Sequence, residues 1–289
     1  PGLHRTGATM IGAASAPASS GNLGPGFDIL ALALTLRCHV TAEPAETMTI
    51  TENGSTKRLA DDDMIARAVT MAVDRPMHVT VDNQIPRARG LGSSSAVTAA
   101  AAGAAMKSMG DTSGPAKVFS IVTELEGHAD NAAAAVFGGL VVATPDGIQK
   151  LALHESLQPV VGIPSTKLST TEARAALPAE IDRPVVVRSL ARLAFLLQGL
   201  QDGNPDVLAH AIGDELHEIP RAGLSPVTQE MMVAAHHAGA VHVCWSGAGP
   251  TALAFATPQN RGRVIGAMAG VLGNGGEVLA LDVDDVGLT

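Results

Sequence analysis

The chain has 289 residues, of which 46% are hydrophobic and 16% charged, a balance that fits one large core or two packed domains and excludes a disordered chain. Its net charge of −9 argues against a general grip on nucleic acid, and aromatics at 2% offer little surface for stacking bases. No apolar run reaches the ~18 residues that a membrane span requires. The two cysteines, Cys38 and Cys244, form neither a disulfide framework nor a metal set, which suits a reducing cytosol.

The opening PGLHRTGATMIGAASAPASS lacks the sustained apolar segment of a signal peptide, so Met10 is read as the natural start and Pro1 to Thr9 as added sequence. FDILALALTLRCHVTAEP predicts a long strand over Phe27–Pro44, and TMTITEN a short one ending at the Asn53-Gly54 turn. DDDMIARAVTMAV predicts a helix with acidic residues in its first turn, where the macrodipole favours them. MHVTVDNQIP is a strand, followed by a Gly/Ser loop, an alanine-filled helix and a second helix from Pro115 to Glu126. GHADNAAAAVFGGLVVATPDG predicts a short helix, a strand and a Pro-Asp-Gly turn.

The composition changes after about Leu153. LQPVVGIP predicts a buried strand, and Ser169 with Glu172 forms the capping-box signature of a helix that stops at Pro178. A longer helix follows over Arg188–Gln201, and another has Ser225 as N-cap, Pro226 at its first position and Gly239 as its stop. AVHVCW, TALAFAT and EVLALDV read as strands, with a helix near Asn260–Leu272 between the last two. The second half is therefore α+β with an antiparallel sheet, which predicts one domain over 1–153 and another over 154–289.

The loop Gly90-Leu91-Gly92-Ser93-Ser94-Ser95 carries the most chemistry. Glycine lets backbone N–H groups approach a bulky anion, and the following helix presents unpaired N–H groups at its positive end. Serine adds hydroxyl donors or a metal ligand. A nucleotide-phosphate cradle fits, though not a Walker A loop, because G-x-x-x-x-G-K-[ST] is absent. A serine-capped strand-to-helix turn fits the loop alone equally well. Two more glycine stretches accompany it: PASSGNLGPGFD, with Asn22 and Asp28 around a Gly-Pro-Gly turn, and WSGAGPTALAF.

Taken together these stretches resemble the GHMP kinases, whose motifs are an N-terminal Pro/Ser/Gly stretch, P-x-x-x-G-L-G-S-S-x-A and S-G-x-G-P. Pro86 through Ala96 fits the second motif without a gap. Within that superfamily the chain is most similar to homoserine kinases. ASSGNLGPGFD resembles their A-T-S-A-N-L-G-P-G-F-D, with Gly21 in place of alanine, and ELEGHADNAAAAVFGGLVV, STTEARAALP and DELHEIPRAGLSP resemble three further blocks.

The resemblance implies an α+β fold, with a ribosomal-S5-like N-terminal domain, a ferredoxin-like C-terminal domain, nucleotide in the cleft and a homodimer. It implies that Pro86, Arg89, Gly90, Leu91, Gly92, Ser93, Ser94 and Ser95 hold ATP, with Mg²⁺ on Ser94 and Glu124; Glu126 is the alternative, since residues two apart on a helix cannot share one face. For a substrate with an ammonium, a carboxylate and a hydroxyl, it implies a wall of Asn22, Asp28, His128, Asp130 and Asn131. Thr170 and Gly247 border that wall, and Arg174 and Arg221 grip the carboxylate. Asp130, Asp28 and Arg174 are the catalytic candidates, with Asp130 or Asp28 as a possible base. The implied reaction is ATP-dependent phosphorylation of homoserine. A kinase for mevalonate, shikimate, pantoate or threonine, and a non-catalytic nucleotide binder, are the alternatives. The stretch from Asn53 to Met77 is short and DDDMIARAV lacks the family's Asn-Leu pair, so no adenine contacts are implied. Trp245, before the S-G-A-G turn, is expected to fill space inside the fold.

Overall fold

The computed structural model describes residues 10–289; the reading of residues 1–9 as added sequence lies outside them. Strands β1 (Gly12–Gly21), β2 (Leu30–Pro44), β3 (Thr49–Glu52), β4 (Ser55–Arg58) and β5 (Met77–Asn83), with the later β6 (Leu140–Thr144) and β7 (Gly147–Leu151), form one sheet. Its scaffold is β2, long enough to pair with β1 along one edge and with β5 and then β6 on the other. The strand predicted from Phe27 begins at Leu30, because residues 27–29 belong to the preceding turn. β1 was hidden in the sequence: its small residues are nearly all buried, so they show no inside-outside alternation. The sheet order β4-β3-β5-β2-β6-β7 is antiparallel except where β3 runs parallel to β5.

Of the helices α1 (Met64–Val73), α2 (Ser93–Ser108), α3 (Pro115–Glu126) and α4 (Asp130–Phe137), α2 and α4 pack against this sheet, and α1 and α3 pack on α2. In α1 the acidic residues precede the first turn instead of occupying it, and Asp63 is the N-cap that accepts from the Ile65 and Ala66 amides. In α2 only Ser94 and Lys107 are exposed, so the helix is a core element on every other face. Its alanines allow backbone-close packing. A Cβ on Gly12 of β1 would lie 2.0 Å from the Ala104 carbonyl, which fixes how near β1 runs to α2. That contact lies at the C-terminal end of α2, at Ala104 and Ser108.

The chain then builds a second, antiparallel sheet in the order β11-β8-β10-β9, from β8 (Gln158–Pro164), β9 (His242–Trp245), β10 (Ala252–Ala256) and β11 (Gly276–Ala280). Its helices are α5 (Thr170–Ala175), α6 (Arg183–Asp202), α7 (Pro205–Leu208), α8 (Glu218–Arg221), α9 (Pro226–His237) and α10 (Arg261–Leu272). The helix predicted at Arg188–Gln201 begins five residues earlier, where Pro184 is compatible with the first turn. Ser225 stands at the N-cap of α9, but its hydroxyl accepts from Thr228 Oγ1 instead of capping. Trp245 is fully buried, as expected from its size, against Gly249.

The first sheet ends at Leu151 and the second begins at Gln158, yet the packing is continuous across them. Leu157, Val161, Leu196, Cys244, Leu253 and Phe255 share one apolar cluster with the first sheet and α2. After β11 the chain also returns to the first sheet. Val283 bridges Leu34, Thr289 exchanges backbone hydrogen bonds with Ser15, and the Arg37 guanidinium holds the Asp284 carboxylate and the Gly287 carbonyl. Among the described residues no helix is long and apolar enough to cross a membrane.

Candidate active site

A cavity of about 310 Å³ lies where the N-terminus of α2, the start of α4, the start of α5 and the turn between β9 and β10 converge. The phosphate-loop candidates Pro86 and Arg89 through Ser95 all line it. The loop's shape depends on Gly90 (φ +76°) and Gly92 (φ +65°). A Cβ at Gly90 would lie 2.1 Å from the Ser246 carbonyl, and one at Gly92 would lie 1.9 Å from Ser19 Oγ. The three glycine-rich stretches therefore pack on one another. Ser246 Oγ donates to the Gly90 carbonyl at 2.6 Å, Ser19 N to the Leu91 carbonyl at 3.1 Å, and Gly247 N to the Gly21 carbonyl at 2.9 Å.

The three serines differ. Ser93 Oγ donates to the Ile85 carbonyl and accepts from Asn83, and Ser95 is buried. Ser94 is exposed, its hydroxyl meeting only the Met64 sulfur at 3.6 Å. Arg89 reaches back to the Pro164 and Ser165 carbonyls, so its guanidinium clamps the loop to the second sheet; as a phosphate ligand it is a poor fit.

Glu124 does not reach this cavity. It is exposed and lines a separate hollow of about 650 Å³ along α1. Glu126, two residues on and 200° around the helix, is the carboxylate that faces the site. Its Oε1 is buried with no hydrogen-bond partner, and its Oε2 lies 3.8 Å from His128 Nε2. An unpaired buried carboxylate oxygen is costly unless a ligand completes it.

Asp130 is almost fully buried. Its Oδ1 is 2.8 Å from His128 Nδ1, and its Oδ2 accepts from Asn131 Nδ2 at 3.3 Å. Hydrogen bonding to Asp130 raises the His128 pKa above its ordinary value. Asn131 is oriented by Ser19, whose hydroxyl donates to Oδ1 at 2.7 Å. Gly21 gives this pair room, since a Cβ there would lie 2.7 Å from Asp130 Oδ2. Across the cavity Arg174 grips Asp28 with two bonds of 3.0 and 2.9 Å, and this pairing raises the arginine's pKa. Arg221 is 2% exposed, and burial lowers its pKa to about 10. Asn22 also lines the cavity, but both ends of its amide are engaged, Nδ2 with the Gly247 carbonyl and Oδ1 with the Asp28 amide. Asn22, Leu23 and Asp28 all have positive φ (71°, 51° and 58°), a concentration of left-handed backbone that the surrounding hydrogen bonds hold in place. Thr170 and Gly247 line the wall as expected, joined by Ser169 and Ala248.

Sequence reasoning missed Phe27. Its ring stacks on His217 at 5.2 Å, with the guanidinium carbons of Arg221 and Arg174 at 5.4 and 6.0 Å. Its only signal was its place in the GPGFD run.

Comparison with known proteins agrees with this geometry. The family described as GHMP kinases N terminal domain matches residues 58–139. A homoserine kinase of Deinococcus radiodurans is 38% identical over 256 residues, covering 83% of this chain and 82% of its own length. The chain belongs to the homoserine kinase family. The homoserine kinase structure from Cytophaga hutchinsonii superposes with a TM-score of 0.88 at 23% identity, covering 100% of this chain and 99% of that one. Streptococcus pneumoniae phosphomevalonate kinase, solved with phosphomevalonate and AMPPNP, has a TM-score of 0.73 at 16% identity and covers 94% of this chain and 99% of its own. These two likenesses establish the two-domain GHMP kinase fold. As a homoserine kinase relative, the chain is an ATP-dependent small-molecule kinase.

Proposed function

We propose that the protein transfers the γ-phosphoryl group of ATP to the hydroxyl of L-homoserine, giving O-phospho-L-homoserine and ADP on the route to threonine. The family membership supports the reaction, and one observation supports the substrate. The Asp28–Arg174 pair and Arg221 stand across a single cavity from the phosphate loop. They can exchange their mutual contact for an ammonium on Asp28 and a carboxylate on the two arginines, leaving the substrate hydroxyl toward the α2 N-terminus. A substrate with a carboxylate but no ammonium would displace Asp28 from Arg174 without replacing the cation.

Backbone amides from Gly90 to Ser95 and the α2 dipole suit the triphosphate. The exposed Ser94 hydroxyl, held only by the Met64 sulfur, and the unpartnered Glu126 oxygen make an all-oxygen donor set that fits Mg²⁺ with phosphate and water completing the shell. When bound there, the ion neutralises charge on the transferring group. In the transfer the bond from γ-phosphorus to the β-bridging oxygen breaks, a bond to the homoserine oxygen forms, and the hydroxyl proton passes to an oxygen of the transferred phosphoryl group or to water. Asp28 and Asp130 already accept bonds from Arg174, His128 and Asn131, which favours positioning over strong base action for both. A loose transition state tolerates this. A homodimer, implied by the family likeness, is supported by Val187 and Leu190, exposed on one side of α6.

The test is ADP release with homoserine, mevalonate, shikimate, pantoate and threonine as acceptors. Homoserine is expected to dominate. Turnover of another acid with none of homoserine would overturn the substrate, and Mg·ATP binding without any turnover would overturn the enzyme.

A further inference from the structure

We propose that His217 is a positioning residue, a neutral imidazole with its proton on Nε2 whose Nδ1 fixes the Arg221 guanidinium for the substrate carboxylate. The inference deepens the homoserine reading and rests on it. His217 is fully buried and forms no part of the cavity wall, so it does not touch substrate. Its Nε2 lies 2.8 Å from the Gly24 carbonyl oxygen, which has no proton to offer, so Nε2 must be the donor. Nδ1 is then the acceptor, and Arg221 Nη1 lies 3.1 Å from it. The opposite tautomer would turn an N–H against the guanidinium.

The remaining Arg221 contacts are fixed as well. Nε donates to the Ala173 carbonyl at 3.1 Å and Nη1 also to the Gly247 carbonyl at 3.3 Å. Nη2 has no hydrogen-bond partner among the described residues, and it belongs to a residue that lines the cavity. The imidazole is braced from each side. Phe27 stacks on its face at an interplanar angle of 21°. Asp214 Oδ2 lies 3.7 Å from Nε2 while accepting from the His217 amide, and Ser189 holds the other Asp214 oxygen. Glu218 bonds the Trp245 and Asp214 amides. The charged groups acting on the ring are thus Asp214, Arg221 and, at longer range, Asp28. Burial lowers the His217 pKa to about 4, so the ring is neutral at ordinary pH.

Two substitutions separate the two ring nitrogens. His217→Gln can keep a donor for Gly24 but withdraws the acceptor from Arg221, whereas His217→Asn places an oxygen near the Nδ1 position. In steady-state assays of the full chain, His217→Gln is expected to raise the homoserine KM about tenfold or more, as for loss of a hydrogen bond to a charged group. Its kcat and ATP KM should stay within about twofold, and His217→Asn should hold the homoserine KM within about threefold. In an Arg221→Lys background, His217→Gln should add no further loss. Nitrogen-15 NMR of wild type should find the His217 proton on Nε2. Equal KM increases for Gln and Asn, full additivity with Arg221→Lys, or a proton on Nδ1 would overturn the inference. If wild type does not turn homoserine over, the functional reading fails and the tautomer measurement still decides this one. That measurement also decides it if a variant fails to fold.

Discussion

At the scale of single residues, the two glutamates near the end of α3 are the sharpest case. Glu126 turns a buried, unpartnered oxygen toward the cavity while Glu124 lies in solvent on another face. Glu126→Gln is therefore expected to lower kcat by about a hundredfold, typical for removal of an electrostatic group at the transferring phosphoryl. Glu124→Gln should stay within about twofold, because exposed side chains away from the site contribute little. Magnesium titrations of both variants check the pair, and equal losses would remove Glu126 from the metal. Asp28 carries a second expectation. Its bidentate partner Arg174 would be left with a neutral amide in Asp28→Asn, so the homoserine KM should rise by at least tenfold, on the order of a lost charged contact, with a smaller change in kcat. A loss confined to kcat would instead make Asp28 the base.

At the scale of elements, the site depends on how closely three glycine-rich turns pack. Gly90 combines positive φ with a Cβ position 2.1 Å from the Ser246 carbonyl, so alanine there meets backbone that cannot swing aside. Gly90→Ala is expected to destabilise the fold by roughly 2 kcal/mol or more and to abolish ATP binding, measured by urea unfolding and calorimetric titration. Wild-type stability with intact nucleotide affinity would show that the loops separate freely. The same packing explains what could be read in advance. The Gly/Ser loop and its helix were legible because glycine spacing and serine placement are local. β1 was not, since a strand buried along its length presents no alternating pattern, and α7 and α8 were too short to leave a helical period.

At the scale of the whole molecule, buried ionisable groups set the pH dependence of stability. Burial lowers His217 and His242 to about 4, below the ordinary histidine value of 6.5, and raises Glu218 from 4.5 to about 7. Between pH 4.5 and 6.5 the unfolded chain binds one more proton at each histidine, while the folded chain binds one more at Glu218. Stability from the histidines is present above 6.5 and lost as pH falls toward 4; that from Glu218 is present below 4.5 and lost as pH rises toward 7. The net for these three is one proton, a fall of about 1.4 kcal/mol per pH unit of acidification. His242→Leu should make the histidine and glutamate contributions cancel and flatten that limb in urea unfolding at pH 5 and 6. An unchanged slope would mean that His242 titrates normally.

By itself the sequence supplied contiguous motifs, around Asn22 and Asp28, over residues 86–96 and at the turn of residues 246–250, and their likeness to a known family implied the reaction and the site residues. Only the tertiary structure decided which of those groups face one another. Glu126 rather than Glu124 turns inward because helix rotation and packing choose the face. Asn22 and Arg89 are committed to holding loops because their partners, Gly247 and the carbonyls of Pro164 and Ser165, lie far away in the chain. Phe27 gains its place beside His217 and Arg221 for the same reason: a contact across nearly two hundred residues leaves no local trace, whereas His217 stands only four residues before Arg221.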